Sequence, residues 1–265
     1  MEGQRRAWLE FQDVADDTAD SERGQDDAAR GRKNAAQRER RARQREQGYI
    51  SRINVRIDYL LESETKYPNY AEVFSVQDKY NLPPRPELEC TRANATVPCE
   101  NHVIKITDEA TLPDPERPEL IFSGAVRGNE RVGPHVVVAL AELLLSHANR
   151  DDGNPWLKHL VKTRTVVIIP TANAYGYNHN VRRELNFDPN RDFPYNLDND
   201  DKCMVTMAAR ALNELWRDYL FQLGITFHAG TECITYEWGG KNHVNSAQCC
   251  SRVPPTSTRY SNVRQ

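Results

Sequence analysis

Three stretches of this 265-residue sequence carry side chains whose types and spacing suit chemistry. In the first, Phe122-Ser123-Gly124-Ala125-Val126-Arg127-Gly128-Asn129-Glu130, a carboxylate follows a small-residue turn and precedes a helical pattern. In the second, Asn173-Ala174-Tyr175-Gly176-Tyr177 leads to Arg182-Arg183 and then to Asp188-Pro189-Asn190-Arg191-Asp192. In the third, Ile225-Thr226-Phe227-His228, an apolar run ends on an imidazole. A carboxylate and an imidazole are metal ligands. A planar guanidinium beside a neutral amide suits a carboxylate guest. Each stretch taken alone also has a plainer explanation. Glu130 reads as a first-turn helix acid favoured by the dipole. The loop reads as a surface excursion with an internal Arg–Asp pair, and His228 as a satisfied core residue.

The elements that must position these residues follow from periodicity. Ile50, Ile53, Ile57, Leu60 and Leu61 recur at helical spacing and give a helix over 49–62, with Pro68 beyond it. Residues 102–107 alternate as a strand, and Leu120-Ile121-Phe122 is a strand leading through a Gly-bearing turn into an apolar helix over 134–147. Val166-Val167-Ile168-Ile169 reads as a buried strand, 204–219 as a second helical stripe, and 223–228 as another buried strand. Strands alternating with helices predict an α/β fold, a mixed and mostly parallel sheet flanked by helices. Its functional residues belong at the carboxyl ends of strands.

The first 48 residues have a different texture: no Pro, Cys or Ile, and segregated charge. Eight acids crowd 10–30 and seven bases crowd 31–46. This predicts a charged tail, disordered or partly helical, ahead of a domain over 49–265. A basic block can also bind nucleic acid, but no aromatic interleaves this one, so base stacking has no platform. The formal net charge of −3 further disfavours a general nucleic-acid binder. No run approaches the roughly 18–20 apolar residues of a membrane span. No apolar stretch follows Met1, so no secretory signal is visible. Oligomeric state cannot be read from the sequence.

Together, the three stretches resemble the zinc carboxypeptidases of the carboxypeptidase A type. The family pattern is a strand ending in His-x-x-Glu, an Asn-x-x-Gly-Tyr turn, an Asp-x-Asn-Arg loop and a strand ending in His. Here the turn is Asn173 to Tyr177, the loop Asp188 to Arg191 and the final imidazole His228, and the resemblance runs from about Tyr49 to Trp238. The variant Asp188-Pro189-Asn190-Arg191-Asp192-Phe193-Pro194-Tyr195, with Tyr236-Glu237-Trp238-Gly239 after the His, is similar to a branch known from protists. The resemblance implies zinc-dependent hydrolysis of the C-terminal peptide bond of a peptide or protein. It implies that Glu130 and His228 are zinc ligands and that Asn190 and Arg191 hold the substrate carboxylate. It makes Arg182 the oxyanion arginine, with Arg183 the alternative. In the family, zinc lowers the pKa of a bound water and polarises the scissile carbonyl, while a separate Glu is the general base.

Two positions depart from that pattern. Where the family places the first zinc ligand, three residues before Glu130, this sequence has Arg127. A guanidinium has no lone pair to give. At about 4 Å and an effective dielectric near 20, its charge would meet Zn²⁺ at a cost of roughly 8 kcal/mol. His135 lies five residues past Glu130 and turns to another helix face. The family's general-base Glu comes further along than this sequence extends, and Glu232 and Glu237 are too close to His228 to stand for it. The sequence therefore reads as cut short within its domain. Two alternatives to an active peptidase follow: an inactive relative that binds C-terminal carboxylates, or a fragment of a longer active enzyme.

Of the six cysteines, Cys90 and Cys99 bracket a glycosylation sequon, Asn94-Ala95-Thr96. A disulfide there would fit secretion. The favoured reading is nevertheless free thiols in a reducing, cytoplasmic compartment.

Overall fold

A computed structural model describes Gln37 and residues 58–194, 203–230 and 234–235. Packing divides the chain at Tyr49 and Ile50, and everything described here apart from Gln37 lies in the second unit. The expected charged tail over 1–48 falls outside the described residues, Gln37 aside, as do the first residues of the expected helix over 49–62. What is described of that helix, α1, runs over 58–66, to just before Pro68.

Strands β1 (Ala71–Ser75), β4 (His102–Ile106), β6 (Thr165–Ile169), β5 (Glu119–Gly124) and β7 (Phe221–Phe227) form one sheet in that spatial order. β1 and β4 pair antiparallel and β4 pairs antiparallel with β6, whereas β6, β5 and β7 are parallel. The sheet is thus mixed, as expected, with its parallel half at the end that carries the candidate site. Alternation along each strand assigns the two faces. Ile104, Ile106, Val166 and Ile168 pack on one side with Val137, Ala141, Leu144 and Leu145 of helix α3 (Val132–Ala148) and Val161 of helix α4 (Pro155–Thr163). Val103, Ile121, Val167 and Ile169 pack on the other with Ala211, Leu212 and Leu215 of helix α6 (Met207–Asp218). Apolar faces covered on both sides make a three-layer α/β domain.

Several elements carry no strong periodic signal. They are the single turn α2 (Val76–Lys79), the hairpin β2 (Glu89–Arg92) and β3 (Ala95–Pro98), and the short helix α5 (Ala174–His179). The hairpin turns on Ala93 and Asn94, both at positive φ, the geometry of a two-residue turn that suits strand twist. It brings Cys90 and Cys99 together as a disulfide, with Cα atoms 5.0 Å apart. The expectation of free thiols at this pair is corrected: pairing of β2 with β3 places the two residues within bonding reach.

One expected buried strand is not buried. Among the described residues β7 is partnered on one edge only, by β5, and Gln222 to Thr226 are exposed. An apolar run shows that a strand can be buried, not which neighbours are there to bury it.

Candidate functional site

The chain leaves β5 through α3 and α4 to reach β6 on one side, then returns through α6 to β7 on the other side of β5. Such a reversal opens a crevice at the carboxyl ends of parallel strands. The three chemically suggestive stretches all meet there.

After Gly124 the backbone turns sharply. Ala125 adopts φ 47°, a costly conformation for a residue with a side chain. A Cβ on Gly124 would lie 2.6 Å from the Pro134 nitrogen and 2.7 Å from the Pro170 oxygen, so only glycine lets the strand end approach α3 and the β6 end together. The Glu130 N–H donates to the Arg127 carbonyl at 3.0 Å, a turn that stacks the two side chains. Beneath them, Asn173 accepts the Gly176 N–H at 2.7 Å and donates to the Arg182 carbonyl at 3.3 Å. The Gly128 N–H reaches the same carbonyl at 3.2 Å. Asn173 thereby ties the 125–130 turn, α5 and the arginine loop into one platform.

The arginine loop is fastened at its far end to α6. Buried Glu184 accepts the Met207 and Ala208 N–H groups at 2.6 and 3.0 Å, a carboxylate at a helix N-terminus. Burial pushes the Glu184 carboxyl above its ordinary pKa, against the pull of those two donors. Buried Asp192 accepts the Val205 and Thr206 N–H groups and the Thr206 hydroxyl. Between these anchors Asp188 caps the single 3-10 turn Pro189–Arg191, accepting the Asn190 N–H at 3.1 Å.

The charged centre is a chain of contacts. Arg127 Nη1 lies 3.2 Å from Glu130 Oε1, and Arg127 Nε lies 3.6 Å from Asp188 Oδ2. Arg182 donates to the same Asp188 oxygen through Nε at 3.0 Å and pairs with it through Nη2 at 2.8 Å. The other Glu130 oxygen, Oε2, shares a 2.5 Å hydrogen bond with His228 Nδ1 and accepts the Ala229 N–H at 3.3 Å. The side chains of Arg127, Glu130 and His228 are 15%, 10% and 35% exposed, so these pairs are largely withdrawn from water. Burial disfavours the Asp188 carboxylate. The Arg182 hydrogen bond, the Asn190 N–H and the Arg127 charge outweigh it and hold the carboxyl below the usual range.

Glu130 and His228 therefore meet directly, and Arg182 is linked to them through Asp188 and Arg127. Asn190 lines a cavity of about 300 Å³ that His228, Phe193, Leu212, Trp216 and Ile225 also border. Arg191 is exposed and donates to its neighbour's carbonyl, that of Asn190, at 2.8 Å. Arg183, the alternative to Arg182, is exposed and bonds only weakly to the Asn186 carbonyl, at 3.4 Å. His135 is exposed on α3. The structural roles of Glu184 and Asp192 were not read from the sequence, because their partners lie 13 to 24 residues further along. Asp188 carried one signal, the Arg–Asp pairing expected of a polar loop.

These residues do not fit a zinc ion. No group of three or more metal-ligating side chains exists among the described residues. Two ligand atoms about 2.1 Å from a tetrahedral ion stand roughly 3.4 Å apart. Glu130 Oε2 and His228 Nδ1 stand 2.5 Å apart, bonded to each other.

The order and spacing of the segments find their match in a known family. The family model described as zinc carboxypeptidase matches residues 100–265. The chain belongs to the zinc carboxypeptidase family. Carboxypeptidase D of Mus musculus is 26% identical over 153 residues, which are 52% of this chain and 10% of that protein. Carboxypeptidase D of Anas platyrhynchos is 27% identical over 151 residues, with the same coverage. The fold is similar to that of carboxypeptidase A from Helicoverpa armigera, with a TM-score of 0.53 and 16% identity over 69% of this chain and 46% of that one. It is also similar to that of thrombin activatable fibrinolysis inhibitor, with a TM-score of 0.50 and 13% identity over 71% of this chain and 50% of that one. The chain thus spans about a tenth of the curated family members it matches and about half of these solved structures. Among the described residues no helix is long and apolar enough to cross a membrane.

Proposed function

We propose that this chain is a non-catalytic zinc carboxypeptidase relative that binds the C-terminal carboxylate of peptides. The observation that carries this reading is the position of Arg127. Its guanidinium sits on one Glu130 oxygen while His228 occupies the other, so the family's water-activating centre has no place to form. What survives of the family pattern is its anion-binding side. Asn190 borders the cavity beside His228. Arg191 follows it at the chain surface and Arg182 stands exposed above Asp188. Arg182, with one hydrogen-bonding face on Asp188, keeps further N–H groups for an anion; this replaces the oxyanion role that the family pattern gives it. Asn190 and Arg191 keep the carboxylate-holding role.

The test is calorimetry with matched peptide acids and amides. The acid binds, the amide binds at least tenfold more weakly, and Arg191→Ala erases the difference. Equal affinity for acid and amide contradicts carboxylate capture. A blocked dipeptide incubated with the chain under saturating zinc stays intact, and turnover contradicts the non-catalytic reading.

A second reading is favoured by β7, whose apolar side chains are exposed on a sheet edge, and by the share of the solved structures that the chain spans. On this reading the chain is part of a longer enzyme whose remainder covers that edge. Sequencing the full transcript decides it. A continuing reading frame with further strands and an acidic residue supports it, and a stop after Gln265 removes it.

A further inference from the structure

We propose that the Arg127 guanidinium is the resident cation of this site, that it excludes zinc, and that Arg127→His alone turns the cluster into a three-ligand zinc site. The inference rests on membership of the family and is independent of carboxylate capture. A metal ion in such a site does two structural things: it neutralises carboxylate charge and it ties separate segments together. Arg127 does both. It bridges Glu130 Oε1 at 3.2 Å and Asp188 Oδ2 at 3.6 Å, so the turn before α3 and the arginine loop are held by one permanent charge. Glu130 then reaches the residues after β7, through His228 Nδ1 and the Ala229 N–H. Three segments are thereby joined through these side chains.

The same contacts explain the exclusion. Both Glu130 oxygens are engaged, and His228 Nδ1 is engaged with one of them. A divalent ion arriving there must break both contacts and sit beside a cation that is only 15% exposed and cannot deprotonate. The backbone also shows why one substitution is enough. The hydrogen bond from the Glu130 N–H to the Arg127 carbonyl closes a tight turn, which places any side chain at 127 next to the Glu130 carboxylate. A histidine there removes the repelling charge and adds the missing lone pair. Glu130 and His228, already adjacent, then need to part by only about 1 Å to accept an ion between them. Arg127 Nε, buried without a hydrogen-bond partner, shows that the guanidinium is held by charge more than by a full set of donor contacts. The side-chain hydrogen bond of Arg127 goes to the Glu130 carboxylate and not to the backbone.

The experiment loads the purified full chain with Zn²⁺, dialyses it and counts metal by mass spectrometry, with calorimetric titration of Zn²⁺ alongside. Wild type retains no site-specific zinc. Arg127→His retains about one equivalent, lost again in Arg127→His/His228→Ala, which separates this site from adventitious thiol or imidazole binding elsewhere. Chelator lowers the melting temperature of Arg127→His and leaves wild type unchanged. Arg127→Gln, a neutral side chain, guards against misfolding of the histidine variant: its zinc affinity rises at least tenfold over wild type. One equivalent on wild type that depends on His228 overturns the proposal. So does a folded Arg127→His that binds none, or an Arg127→Gln no better than wild type. None of these outcomes bears on acid-over-amide selectivity, so zinc exclusion and carboxylate capture fail separately.

Discussion

Arg127 is one residue in 265, yet it shapes what the polar cluster around it can do, because its charge is permanent and its side chain is largely buried. Removing one partner of such a pair costs more than the pair contributes, since Glu130 Oε1 is left in a largely buried site without its cation, while Asp188 keeps Arg182. Arg127→Ala is therefore expected to lower unfolding free energy by about 2–3 kcal/mol, below the fully buried limit because the site is partly open to water. Urea denaturation with unchanged m-value checks this, and a loss under about 0.5 kcal/mol contradicts it. Asp188 adds a pH dependence with a definite sign. Its folded carboxyl titrates below its unfolded value of about 3.9, so its contribution is present above that pH and disappears as pH falls through the lowered folded value. The melting temperature of wild type should fall steeply below about pH 4, and Asp188→Asn should flatten that part of the profile. The residues of this cluster stand out in the sequence by type, and the family resemblance is what groups them. Their pairings were not legible, since a sequence shows that Arg127 stands where a ligand is expected but not that it reaches both Glu130 and Asp188.

Among the elements, the legible ones are those whose burial repeats. β6 is buried along its whole length, and its alternate residues enter opposite cores, as do those of β4. α3 and α6 follow the same logic at helical spacing. The hairpin β2–β3 and α5 escaped because long-range bonds place them. The Asn178 side chain bonds both the N–H and the carbonyl of Thr91, and the His179 ring meets the Glu89 carbonyl. The Cys90–Cys99 disulfide closes that hairpin against α5. Non-reducing peptide mapping should recover these two cysteines linked, and Cys90→Ser should cost about 2–3 kcal/mol from the lost loop constraint. Recovery of both as free thiols contradicts the assignment. The start of α6 is likewise set from a distance. Asp192→Ala leaves two N–H groups and one hydroxyl without their acceptor and should cost about 2–3 kcal/mol.

At the scale of the whole molecule, β7 stands apart. Its sequence, Phe-Gln-Leu-Gly-Ile-Thr-Phe, is that of an interior strand, without a charge to discourage pairing. Yet Leu223 is 45% and Ile225 38% exposed. An uncharged apolar edge associates with other chains, so the purified protein should self-associate as concentration rises. Leu223→Lys should suppress that in light scattering while circular dichroism stays the same. Undiminished association contradicts the assignment of this edge. Periodicity could not foresee the exposure, because a strand's own residues do not say whether a neighbour is present to cover them.

The measurement that bears most directly on the role of Arg127 is a crystal structure of the wild-type chain grown with excess Zn²⁺, with anomalous data at the zinc edge. No anomalous peak is expected between Glu130 and His228, and the Arg127 guanidinium should lie on Glu130. A peak at that position, with Arg127 swung out to solvent, contradicts this role.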